Sequence, residues 1–415
     1  MNNTYRIQIN IMQILQPMAS KKLFEKFSTK ILKTILLLPG FILFFILRIL
    51  QPVFHFRIAI GGFERIGHYI HAELYLRKKK AGEYNPGEFL IIVSEKTANQ
   101  QLHRMFQRRL CLIDNDLICW MSTHIKSITK KSPLWLELPY VQCYQEVLDT
   151  IPPQLAFIGD EESKGKKLLE EMGIKNNEPF ICLHVRDKAY LNTVHNYRSP
   201  QEWAYHDYRN CNVENFLPAA EHLASHGLYV LRMGHVVEKP FVGKSDKVID
   251  YANKFRSELG DIYCISKCKF FIATEGGLHS IAWMFNIPVA YSNSAPPAGL
   301  VGWREDDVVI HKKLWDKNRK RFLTYKEIVQ YGADAWYQND LYLKAGLEVV
   351  ENSPEEIVEL AKEMNARLDK TWVITAEEIE LQNRYRSIFP AGHRSLSFRS
   401  RIGTDFLRKN RELLQ

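Results

Sequence analysis

The chain has 415 residues, of which 46% are hydrophobic and 25% charged, with a formal net charge of +9. That usage excludes extensive disorder, and the length suggests two nucleotide-binding-sized units plus extra segments. Seven cysteines at irregular spacing argue against a secreted disulfide framework and for a reducing cytosol. Basic residues scattered among acidic ones, without a zinc-finger, basic-zipper or RNA-binding signature, set nucleic acid aside and leave lipid head groups and nucleotide phosphates as anionic partners.

The first landmark is 34–47, TILLLPGFILFFIL, fourteen residues without a charge, interrupted by Pro39-Gly40. A helix of that length rises about 21 Å, short of the roughly 30 Å hydrocarbon core. Lys21, Lys22, Lys26, Lys30 and Lys33 precede it; Arg48, Arg57, Arg65 and the run from Arg77 to Lys80 follow. Basic flanks on both sides give no orientation, look cytoplasmic, and suggest a monotopic or re-entrant element held in one leaflet against anionic lipid. A single tilted span and a buried core helix are the rival readings, and a signal peptide fits poorly because Gln51-Pro52 stands where small residues should.

From 54 to 61 the sequence reads FHFRIAIG, followed by Gly62 and an amphipathic run over 65–77, a strand, loop and helix in succession. A second strand is expected over 88–94 and a second helix over 99–110, so this half should be α/β with a parallel sheet. His68, in the first turn of the first helix, lies where an acceptor hydroxyl would be deprotonated and is the candidate general base; His71 is a weaker one. Either is otherwise a surface histidine without chemistry.

The second half carries more. After a helix over 161–172 and a turn at Asn176-Asn177, a buried strand over 180–183 ends at His184-Val185-Arg186-Asp187. Open α/β sheets bind ligands at that end, and the planar fork of Arg186 matches phosphate oxygens, although a salt bridge to Asp187 or Asp207 would also account for it. The polar stretch from Tyr205 to Asn210 precedes a helix over 213–226, and the strand 228–233 brings Arg232 to the same sheet edge. Arg186 and Arg232 are expected to clamp one pyrophosphate without a metal ion. A strand over 270–274 leads into Glu275-Gly276-Gly277-Leu278-His279, where glycines let a ligand approach; Glu275, which would repel phosphate, is assigned to ribose or sugar hydroxyls. Asn286 to Tyr291 form the next strand, and Cys264 and Cys268 sit in an apolar stretch as core residues rather than metal ligands.

Taken in order, HVRD, YHDYRNCNVENFLPA, YVLRMG, KFFIATEGGLHSIAWMFNIPVAYSN and VVIHKKLW resemble a bacterial family assigned as glycosyltransferases and encoded with surface-polysaccharide genes. His184-Val185-Arg186 resembles the His-x-Arg element of fucosyltransferase-type GT-B enzymes, and the Glu275-Gly276-Gly277 loop is similar to the donor loop of heptosyltransferase-like enzymes. The resemblance implies two Rossmann-like domains facing a cleft: an N-terminal acceptor domain over 54–165 after a membrane-associated segment over 1–53, and a donor domain over 166–330. Helices over 331–415 would then pack across the cleft. It implies a nucleotide-diphosphate sugar as donor substrate, with His184, Arg186, Asn210, Arg232, Glu275, Gly276, Gly277 and His279 around it, no separate cofactor and no metal. Trp283 stands where a retaining enzyme's second glutamate would fall, which favours inversion.

The leading expectation is therefore sugar transfer to a lipid-linked or polysaccharide acceptor. A GT-B-like nucleotide-sugar epimerase, which would act without an acceptor, and a non-catalytic subunit of a polysaccharide assembly complex are the alternatives.

Overall fold

The structure, a computed structural model, describes residues 21–140, 145–175, 178–298, 302 and 304–415. The first twenty residues, the turn expected at Asn176-Asn177 and the side chains of the five lysines before the apolar run lie outside the described residues.

Two parallel sheets organise the chain. The first holds β1 (Phe56–Ile60), β2 (Phe89–Ser94) and β3 (Cys111–Asp114) in that order. Leu134 and Leu136 add a fringe beside β1, the Leu136 amide donating to the Ile58 carbonyl at 2.9 Å. This sheet is smaller than the full Rossmann-like unit expected. The second contains β4 (Phe180–His184), β5 (Tyr229–Arg232), β6 (Val248–Ile249), β7 (Phe271–Ala273), β8 (Val289–Ser294), β9 (Val308–His311) and, near the C-terminus, β13 (Arg401–Ile402). Its spatial order, β6-β5-β4-β7-β8-β9-β13, reads 3-2-1-4-5-6-7 in chain order, the doubly wound arrangement whose direction of winding reverses between β4 and β7. Near-continuous apolar runs such as Phe180–Leu183 suit strands covered on both faces, and β4, β7 and β8 are buried almost throughout. A small antiparallel sheet of β10 (Lys313–Asp316), β11 (Arg321–Phe322) and β12 (Leu347–Val350) flanks it.

Three expectations change. Helix Gly159–Glu171 runs across the expected boundary at 165/166: it packs on helix Glu258–Lys267, and its Glu161 accepts from Gln101 and Arg108 of the first unit. Residues 331–415 contribute strands as well as helices. Helix Pro354–Leu368 lies on helix Leu217–Ser225 and on β8 and β9, and β13 extends the large sheet, so the segment packs chiefly on the second unit, while Arg399 reaches Asp149 in helix Gln145–Thr150. Finally, the apolar run is longer than fourteen residues: helix Lys21–Phe54 runs through Pro39 and Pro52, and its apolar part, Thr34–Phe54, has 21 residues, enough by length and composition to cross a membrane. Arg48 does not end it, since arginine is a good helix former, and its guanidinium donates to Gln51 Oε1 one turn on at 3.2 Å.

Candidate active-site cleft

The two sheets point their carboxyl ends at a shared cleft of about 480 Å³. From the second unit it receives the loops after β4 and β7, the two strands flanking the winding reversal, and the Gly234-His235 turn after β5. From the first come Arg65 to His68 and, in the first turn of helix Tyr69–Lys80, Ile70 and His71. Backbone contacts fix the central loops: the Arg186 amide donates to Thr274 Oγ1 at 2.8 Å, the Thr274 amide to the His184 carbonyl at 3.1 Å, and the Cys211 amide to the Arg186 carbonyl at 2.9 Å.

The glycines serve close approach. A Cβ on Gly276 would stand 3.0 Å from His184 Cε1, so the imidazole lies over that residue only because nothing projects from it. Gly277 meets the other unit: its Cβ would be 2.9 Å from Ile66 Cγ2 and 3.2 Å from the Gly67 nitrogen.

Positive charge is concentrated on one wall. Burial first, and then the neighbouring guanidinium of Arg209, push Arg186 down to about 10, so it stays charged. Arg209 Nη2 donates to the Glu275 carbonyl at 3.4 Å, and its Nε lies 3.5 Å from Glu275 Oε2. Burial outweighs this partner, together with Arg186 and Lys312, and pushes the Glu275 carboxyl up to about 7. The imidazoles of His184, His206 and His279 are each pushed down to about 3, by burial and then by nearby arginines or, for His279, Arg209 and His184. They are neutral at neutral pH. Arg186 Nε and the Nδ1 atoms of His184, His206 and His279 are buried without a hydrogen-bond partner. Buried polar atoms are normally paired, so such a concentration around one cleft marks a place where something polar belongs.

His184, Arg186, Gly276, Gly277, His279 and His68 all line the cleft, and Glu275 sits directly behind it. His68 is pushed below its ordinary value by burial, and its Nδ1 lies against Gly62, whose backbone hydrogen-bonds the ring. His71 is lowered likewise and donates from Nδ1 to the Pro139 carbonyl at 3.0 Å. Asn210 faces elsewhere: it lines a separate recess of about 240 Å³ that shares Arg186, and its carbonyl accepts from Lys312 Nζ at 2.6 Å. Arg232 overturns the expected clamp. It is fully buried, does not line the cleft, and pairs with Asp250 at 3.3 Å. Asp250, just after β6, takes one guanidinium nitrogen, while Arg232 Nε and Nη2 are buried without a hydrogen-bond partner.

No family model matches the chain, and no curated protein matches it. Solved structures do. The chain is similar to a family 9 glycosyltransferase from Veillonella parvula, at 11% identity over 57% of this chain and 79% of that one, with a TM-score of 0.37. It is similar to the ADP-heptose LPS heptosyltransferase II of E. coli, at 12% identity over 57% and 84%, with a TM-score of 0.34. A third is the dodecameric iron-containing heptosyltransferase TibC, in complex with ADP-D-β-D-heptose, at 14% identity over 60% and 61%, with a TM-score of 0.33.

Several cleft residues are not evident from the sequence as site residues. Arg209 is the most consequential, because it occupies the place expected for Arg232; the polar run from Tyr205 to Asn210 marks the region but not which side chain turns inward. An aromatic wall of Tyr190, His195 and Trp203 comes from the loop after β4, where Trp203 Nε1 donates to the His195 carbonyl at 3.0 Å. Opposite, Arg256 Nη2 donates to Asp261 Oδ2 at 2.9 Å, and burial raises that carboxyl to about 6. Cys264 and Cys268 are core residues, and among the described residues no group of three or more His, Cys, Asp or Glu is placed to hold a metal ion.

Proposed function

We propose that the chain is a glycosyltransferase of GT-B layout that moves a sugar from a nucleotide-diphosphate donor to a lipid-linked or polysaccharide acceptor at the cytoplasmic face of a bacterial membrane. The observation that carries the reading is the pair of half-buried guanidiniums, Arg186 and Arg209, set close together on one wall at the winding reversal with Arg186 Nε unpartnered. Glu275 is the carboxyl beside them and stands against Arg209, which leaves the Arg186 fork facing the cleft; a diphosphate is the anion whose oxygens the two planar forks fit.

In this reading the diphosphate lies against Arg186 and Arg209 with the buried imidazoles of His184 and His279 donating to it. The anomeric carbon–oxygen bond to the phosphate breaks as the acceptor oxygen attacks from the first unit's side, and the guanidiniums stabilise the charge that develops on the leaving oxygen. His68 takes the acceptor's proton. Its Nδ1 is engaged at Gly62, leaving Nε2 for that proton, and its lowered pKa keeps the ring neutral. Glu275 hydrogen-bonds sugar or ribose hydroxyls. A single displacement of this kind inverts the anomeric centre.

Calorimetric titration of the full chain with the common nucleoside diphosphates tests the core of the reading. One of them should bind, and Arg186→Gln should weaken it at least tenfold. A protein that binds none of them has no donor site here. Product analysis without acceptor separates transfer from epimerisation, since only an epimerase would then yield a new nucleotide sugar.

A further inference from the structure

Helix Lys21–Phe54 has two apolar faces, and only one is covered. Leu37, Gly40, Phe41, Phe44 and Leu47, spaced three and four apart, pack on helix Asp116–Thr129 and on Trp135. A Cβ on Gly40 would collide with Ile125, and the Phe44 and Trp135 rings stack at 6.4 Å. The opposite face, Ile35, Leu38, Ile42, Phe45, Ile49 and Val53, is exposed, with Ile49 at 75% and Val53 at 73%. A helix apolar all round is ordinarily buried, and an uncovered row of this length is far more than a soluble chain leaves in water.

The helix packed against it has exposed apolar residues of its own. Leu117 and Ile128, at its two ends, are exposed, Ile128 at 70%, and Lys130 and Lys131 follow immediately, both exposed. Apolar side chains ending in exposed lysines are the pattern that enters the acyl boundary while the ammonium groups meet anionic head groups.

We infer that the two helices form one docking face for an anionic bilayer and that Thr34–Phe54 lies in the plane of a single leaflet, although it is long enough to cross. The reason is the covered face. A crossing helix would place residues 37–47 in mid-membrane, where they would either drag helix Asp116–Thr129 along or be stripped from it. The first would immerse Asp116 and the Lys126–Glu137 pair, closed at 2.6 Å; the second would open the cluster built on Phe44, Ile125 and Trp135. Lying flat leaves every packed contact intact and gives the uncovered row to lipid. This inference is independent of the chemistry in the cleft.

The full chain should float with vesicles of equal parts phosphatidylglycerol and phosphatidylcholine, and less with phosphatidylcholine alone. Leu117→Glu combined with Ile128→Glu, both at exposed positions, should lower the bound fraction at least tenfold with an unchanged unfolding midpoint. In inside-out membrane vesicles, tags at the two chain ends should be equally open to protease. Protection of the N-terminal tag alone would show crossing, undiminished flotation of the double variant would remove the second helix from the face, and a lipid-free dimer that does not float would make the face a contact between copies; each overturns the inference.

Discussion

Arg77 Nη1 donates to Asn286 Oδ1 at 2.9 Å, joining the first helix of the N-terminal unit to the loop before β8 across 209 residues of chain. The same guanidinium donates to Glu73 Oε1 at 2.8 Å, to the Leu148 and Ile151 carbonyls at 2.8 and 3.0 Å and to the Met284 carbonyl at 2.6 Å, and it is fully buried. Arg77 therefore does not serve lipid, as its place in a basic run suggested; it fastens the two units below the cleft. Arg77→Ala should lower the unfolding free energy by about 3–5 kcal/mol, the usual consequence of leaving a buried partner charge alone, here Glu73. Asn286 has φ 58°, so Asn286→Gly keeps the backbone and removes only the acceptor; about 1.5–3 kcal/mol is expected. Urea unfolding of both variants checks this, and equal losses would mean that Arg77 acts mainly through Asn286.

The cleft arginines separate by what they touch. Arg186→Gln and Arg209→Gln should each weaken nucleoside diphosphate binding at least tenfold and reduce turnover by about 10²–10³, the usual effect of losing one transition-state donor. Arg232→Met should act on the fold, lowering stability by about 3–5 kcal/mol because Asp250 loses its buried partner. Calorimetry and denaturation on the three variants distinguish these roles. An Arg232 variant of normal stability that fails to bind nucleotide would restore the clamp the sequence suggested.

What the sequence makes legible is whatever local pattern decides. The apolar strand ending in His184-Val185-Arg186 and the Gly-Gly turn after β7 are visible because strand, turn and helix follow one another in one short stretch. Arg232 and Arg209 look alike by the same criteria, and only tertiary placement separates them. The sheet's lateral order puts β6 beside β5 to receive Arg232, while the turn from Ala204 to Arg209 swings Arg209 back over Glu275. Helix Asp116–Thr129 and β13 escape notice for a related reason. The helix buries little more than Cys119 and Ile125, and β13 is two residues long, so neither carries a strong period. The length of the apolar helix is missed because Arg48, one charge within the helix, reads as its boundary.

Gly277 should be intolerant of a side chain because both units are backbone there. Gly277→Ala must shift Ile66 or the Gly67 backbone, at an expected destabilisation of about 1–3 kcal/mol. Gly276→Ala meets the His184 ring instead, which can yield, so a smaller change in stability but weaker nucleotide binding is expected. Thermal unfolding paired with a binding titration tests the contrast, and an unaffected Gly277→Ala protein would mean that the units do not rest on each other at this point.

Glu275 links the cleft to pH. Its carboxyl ionises near its ordinary 4.5 in the unfolded chain but only at about 7 in the folded one. Between these values the folded protein holds the extra proton, so stability falls as pH rises; the penalty is absent below 4.5, fully present above 7, and at most about 3 kcal/mol. His184, His206 and His279 oppose it on the acid side. Each is neutral when folded down to about 3 yet takes a proton when unfolded below its ordinary 6.5, so stability also falls as pH drops through that window. Glu275→Gln mimics the protonated acid and should match the wild type at pH 4.5 while exceeding its stability at pH 8. A bound diphosphate should strengthen the carboxyl's preference for its proton. Nucleotide binding at pH 7 is then expected to take up protons, seen as a dependence of the calorimetric heat on buffer ionisation enthalpy that the Gln variant lacks. Identical buffer dependence in both proteins would place the bound phosphates away from Glu275.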